Sequence, residues 1–86
     1  MAAQTARVAA AAASTLLTGF LSERKRLTLF NDSPTGSLKF RLGAPVTALV
    51  FTDVILPGGT RVLTTRDGVY GLWDVVDGAA VITEEF

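Results

Sequence analysis

Chemistry in this chain would have to come from carboxylates, lysine and hydroxyls, because its 86 residues include no His and no Cys. The usual general base, the thiol nucleophile and the soft metal ligands are therefore missing. The carboxylates do not converge in the sequence: Asp32 and Asp67 fall in turn sequences, Asp74 and Asp77 belong to a chain reversal, and Glu84-Glu85 stand near the C-terminal end. A carboxylate pair acting on a glycoside needs two such groups facing each other across a cleft, which a domain of this length hardly forms. Pro57-Gly58-Gly59 has the look of a phosphate loop, but no helical pattern and no Lys-Ser/Thr follow it, so it reads as a turn. No catalytic residue, cofactor or metal site is expected, and the chain is not read as an enzyme.

What remains is contact chemistry. Arg24-Lys25-Arg26 is a short basic cluster, offset by Glu23 and without interleaved aromatics. It reads as a solvated turn, or as an electrostatic contact to an acidic partner. Eight basic residues balance eight acidic ones, so nothing argues for a nucleic-acid or anionic-membrane surface. A single domain of this size buries only about 60–65% of its unfolded surface, and without cysteine it has no disulfides to compensate. Self-association is the remaining option, and an apolar content of 49% points the same way. Arg7 followed by the apolar residues 8–21 has the length and polarity of a signal peptide. SERKR at 22–26 is a poor cleavage region, however, and the run is too short to span a bilayer, so the segment is expected to be retained.

The elements that must position these groups are strands. Gly68 to Glu85 contains two β-branched-rich runs joined by Asp77-Gly78, which predicts a type I′ hairpin with Trp73 opposite Ile82 and Val75 opposite Ala80. Trp73, Val75, Ala80 and Ile82 would then share a core face. RLTLFND at 26–32 and SLKFRLG at 37–43 alternate around a cluster of turn formers and predict a second hairpin. VTALVFTDVIL, residues 46–56, predicts one strand or two short ones bent near Thr52-Asp53, and residues 60–65 a further strand. Helix and strand compete over residues 6–20. An extended arm within residues 1–13, then a strand at 14–18, is preferred to a single helix. The fold class expected is all-β: a small antiparallel β-sandwich or barrel of six to eight short strands, residues 14–86, with an extended N-terminal arm.

RKRLTLFNDSPTGSLKFRLG, the apolar run ending LPGGTRVL, and GVYGLWDVVDGAAVITEEF, in that order and spacing, resemble short structural proteins of tailed bacteriophages over about residues 14–86. The chain departs from their pattern in its Ala-rich start and in TTRDG. The resemblance implies a virion component, most like a capsid decoration (cement) protein on the outer surface of the phage head. It would bind the major capsid protein and itself as a homotrimer, with no nucleic acid or membrane partner. A head-fibre or tail module with an adhesive role is the alternative, with Tyr70 and Trp73 as its aromatic candidates. The partner-contact residues expected are Thr5, Arg7 and Val8 on the arm, Arg24, Lys25 and Arg26, and Tyr70. Removal of the first dozen residues is expected to weaken attachment more than the fold.

Overall fold

Alternation of apolar and polar residues, broken by Gly, Pro and Asx turns, divides the chain into strands too short to stand alone, and they close over one another. The computed structural model describes residues 3–86. Its elements are β1 (Ala3–Ala9), β2 (Thr15–Thr18), β3 (Arg26–Asp32), β4 (Leu38–Leu42), β5 (Asp53–Ile55), β6 (Thr60–Leu63), β7 (Val69–Trp73) and β8 (Ala79–Glu85). They form two four-stranded antiparallel sheets, ordered β1-β8-β3-β6 and β2-β7-β4-β5. Of consecutive strands only β4 and β5 are hydrogen-bonded neighbours; every other connection crosses from one sheet to the other. This eight-stranded order, two interlocked Greek keys, is the jelly roll. The all-β sandwich expectation holds, and the topology is more specific than it.

The core lies between the sheets. Leu27, Leu29, Ala80 and Ile82 from the first sheet meet Leu17, Leu38, Phe40, Ile55, Val69 and Trp73 from the second. β3 shows why the sequence does this: Leu27, Leu29 and Asn31 point inward and are fully buried, while Thr28 and Phe30 lie between them on the outer face. On the open side, Arg61 on β6 pairs with Asp53 on β5 and donates to the Val54 carbonyl at 3.1 Å, tying the two sheet edges together.

Both predicted hairpins are corrected. β7 and β8 lie in opposite sheets, and so do β3 and β4. A type I′ turn needs two left-handed residues, but among the described residues only glycines have positive φ, and in the 74–78 loop that is Gly78 at +78°. Asp77 therefore cannot take its place in such a turn, and the loop arches across the end of the sandwich. Trp73, Ala80 and Ile82 still share the core because they face each other from opposing sheets; Val75 is exposed. The 33–37 loop arches likewise, held by Ser33 Oγ accepting from the Gly36 N–H at 2.8 Å, and Ser37 and Asp74 exchange hydrogen bonds that set β4 beside β7.

Gly78 is required twice over. A side chain there would collide with the Asp32 carbonyl oxygen and come 2.7 Å from Ser33 Cα, besides adopting a left-handed backbone. Gly78→Ala should cost about 1–3 kcal/mol from the backbone alone, with the collision in addition. A lowered urea midpoint at unchanged m-value would show it.

The helix alternative over 6–20 does not occur, since residues 3–9 and 15–18 are strands. The segment expected as an arm pairs with β8 of its own chain over all seven residues, Ala3 opposite Glu85 to Ala9 opposite Ala79. Cutting away the first dozen residues therefore strips a strand from the sheet, so an effect on attachment alone is no longer the expectation. The 46–56 run holds one short strand, β5; Thr47 Oγ1 accepts from the N–H groups of Leu49 and Val50 and turns the chain before it can extend.

Candidate functional site

The expected contact residues do not form one surface. Thr5 and Arg7 lie exposed on the outer face of β1, where Thr5 Oγ1 is 3.3 Å from Thr83 Oγ1 and Arg7 reaches across β8 to Asp32 at 2.6 Å. Val8 points the other way and packs against the core. Lys25 is exposed, its N–H donating to the Glu85 carbonyl at 2.7 Å. Arg26 grips both carboxylate oxygens of Glu85 at 2.9 and 2.6 Å. Those hydrogen bonds, and the charge behind them, hold the Glu85 carboxyl below the ordinary carboxylate range and raise Arg26. The contribution is present above the ordinary carboxylate value and lost as pH falls through the depressed one. Tyr70 is half-buried on the opposite sheet, between Leu16 and Arg41.

Arg24 is the clear correction. Read as surface charge, it is 0% exposed. Nε donates to the Thr65 carbonyl at 3.2 Å. Nη1 donates to Glu84 Oε2 at 2.8 Å, the Gly19 carbonyl at 3.2 Å and Thr18 Oγ1 at 3.3 Å, and Nη2 to the Asp67 carbonyl at 2.7 Å. Thr18 in turn donates to Glu84 at 3.0 Å. One guanidinium thus fastens the 19–25 and 64–68 loops to β2 and β8. Its planar fork of five donors suits such a site, where a lysine would not.

The surface feature that sequence reasoning missed is the 43–52 loop. It runs over the outer face of the second sheet: Arg41 donates to the Pro45 carbonyl at 3.2 Å, Lys39 Nζ to the Ala48 carbonyl at 2.8 Å, and the Val46 N–H to Ser14 Oγ at 3.0 Å. Val46 is buried beneath it, whereas Leu49 at its tip is 91% exposed, with Val50 and Phe51 beside it. Its apolar composition is visible in the sequence but reads there as part of the strand expected within residues 46–56. Between this loop and Ala12 lies a cleft of about 220 Å³ lined by Lys39, Ala48, Leu72, Trp73 and Asp74. Its polar groups are engaged: Lys39 by Ala48 and by the Phe51 ring 4.8 Å away, Asp74 by the N–H groups of Ser37 and Val75. Among the described residues no group of three or more acidic side chains is placed to hold a metal ion, and no helix is long and apolar enough to cross a membrane.

Fold and surface together define a small jelly-roll sandwich whose outward features are strand edges and an apolar loop. No known protein family matches the chain, and no curated protein does. Among solved structures it is similar to a chain of the Bacillus endospore appendages, described as a family of disulfide-linked pili. The TM-score is 0.56 and the identity 18%, over 96% of this chain and 82% of that one. At that identity the likeness shows the fold.

Proposed function

We propose that the chain is a structural subunit of a bacteriophage particle, a decoration protein held on the outer surface of the head by contacts with the major capsid protein and with copies of itself. The observation that carries this reading is the apolar tip of the 43–52 loop, where three consecutive large hydrophobic residues, Leu49, Val50 and Phe51, stand exposed together; an exposed apolar cluster of that kind marks a protein contact. The jelly roll adds fold-level support, since viral capsid domains use it. Several weak contacts per oligomer would add up through avidity.

A second reading, a fibre or appendage module, is favoured by the likeness to the pilus chain. Having no cysteine, this chain would have to hold any such polymer together without disulfides. Co-sedimentation of purified protein with heads assembled in its absence separates the two. Binding that raises the melting temperature of the heads supports decoration; no binding, with head stability unchanged, rejects it.

The 43–52 loop is the contact we assign first to the capsid. Leu49→Asp should leave the melting temperature of the free protein nearly unchanged, because the side chain touches little, and weaken attachment to heads by about tenfold or more. Equal binding by the variant would remove the loop from the contact.

A further inference from the structure

We infer that the outer edge of β1 is a self-pairing surface, on which β1 of a second copy adds antiparallel about a two-fold axis at Ala6. The two sandwiches then share one continuous eight-stranded sheet. This deepens the self-association part of the reading above and rests on nothing else in it; the two-fold pairing takes the place of the homotrimer.

The first support is a contrast among edges. A sheet edge presents unpaired N–H and C=O groups, and proteins blunt it with shortness, bulges, proline or lysine. Three of the four edges here are blunted. β2 has four residues and a register shift between Leu16 and Thr18, β5 has three residues, and β6 has four. β1 has seven, in unbroken register, with no Pro and no Lys.

The second is hydrogen-bond phase. The Ala10 N–H donates to the Gly78 carbonyl at 3.0 Å, continuing the ladder past Ala9 and Ala79. Because bonded and non-bonded pairs alternate, Gln4, Ala6 and Val8 turn their backbone groups toward β8. Ala3, Thr5, Arg7 and Ala9 turn theirs outward. An axis at Ala6 places Thr5 opposite Arg7 of the second copy and Ala3 opposite its Ala9, so every outward group finds a partner. Moving the axis to Thr5 or Arg7 keeps the phase but shortens the overlap, and at Arg7 it sets two guanidiniums face to face. Side chains leave the edge clear: most are small, and the one long side chain facing out, Arg7, is drawn across the sheet to Asp32.

The chain's lack of cysteine makes the test clean. Ala6→Cys puts two thiols across the axis in a non-bonded pair, where the Cα spacing suits a disulfide. Under mild oxidation it should become a covalent dimer, and Gln4→Cys should not. Light scattering of the unmodified protein at micromolar concentration should give twice the 9.1 kDa chain mass. Thr5→Pro removes from the backbone only an outward donor, sparing the ladder to β8 at the cost of one exposed hydroxyl contact with Thr83, and should return the protein to a folded monomer. A monomeric or trimeric unmodified protein, a dimer that survives Thr5→Pro, or equal cross-linking at Ala6 and Gln4 each overturns the inference. A monomer whose binding to heads is lost with Thr5→Pro would assign the edge to a coat-protein strand, leaving decoration intact. A β1-paired dimer that ignores heads overturns decoration and leaves the edge.

Discussion

Trp73→Ala lowers stability by about 3–5 kcal/mol, the range for emptying a buried aromatic site, on a domain that carries roughly 5–15 kcal/mol in all. The site is at the centre of the sandwich. Trp73 is 1% exposed, and its Nε1–H donates to Asn31 Oδ1 at 3.1 Å. Asn31, also fully buried, spends both amide hydrogens on the carbonyls of Gly36 at 2.8 Å and Ile55 at 2.9 Å. The indole thus fills space and completes a polar network joining the 33–37 loop to β5, and a buried group that loses its partner costs about 1–3 kcal/mol further. Trp73→Phe separates the two effects by keeping most of the volume and dropping the donor. A double-mutant cycle with Asn31→Ala, read by urea denaturation, should show a coupling well above experimental error. Additive losses would mean that the hydrogen bond contributes nothing beyond packing.

Arg24→Met is the second large loss expected, about 3–5 kcal/mol, because removing one partner of a buried ion pair strands the other. Five hydrogen bonds disappear at once, leaving Glu84 at 12% side-chain exposure and three loop carbonyls without their donor. Arg24→Lys should rescue little, since one ammonium cannot span the fork. Adding Glu84→Gln to Arg24→Met should recover part of the loss by withdrawing the stranded charge. An Arg24→Met protein as stable as the parent would show that the knot only decorates loops held by other contacts. The loss should also resist added salt, as screening acts weakly on a buried pair.

The inward faces were legible in the sequence, and the partners of those faces were not. Leu27, Leu29, Leu38, Phe40, Trp73 and Ile82 follow from strand alternation alone. Alternation says which side of a strand is apolar, and two opposing sheets present the same pattern as two neighbours in one sheet. The turn residues do not resolve this either. Asn31 to Gly36 and Asp77-Gly78 reverse the chain whether the next strand lies beside the last or across from it. Arg24 was illegible for a different reason: between Lys25 and Glu23 it has the sequence context of a solvated residue, and two of the three carbonyls that trap it, those of Thr65 and Asp67, come from a loop more than forty residues away. The contact surface fared worst, because exposure of Leu49 depends on a turn made by one threonine hydroxyl inside an otherwise strand-like run.

The place of β8 bears on how the chain is made. It is the last strand in the sequence yet lies inside its sheet, between β1 and β3. Until synthesis has passed residue 85, the earlier strands of that sheet have no neighbour to hold β1, and both facing edges stay open. Folding of this sheet must wait for the nascent chain to deliver β8, so a polypeptide cut short before residue 79 leaves β1 without the strand it pairs with. Because most pairings join distant parts of the sequence, closure is also slow relative to a hairpin-built domain, and a young chain with open edges is at its most aggregation-prone in that interval.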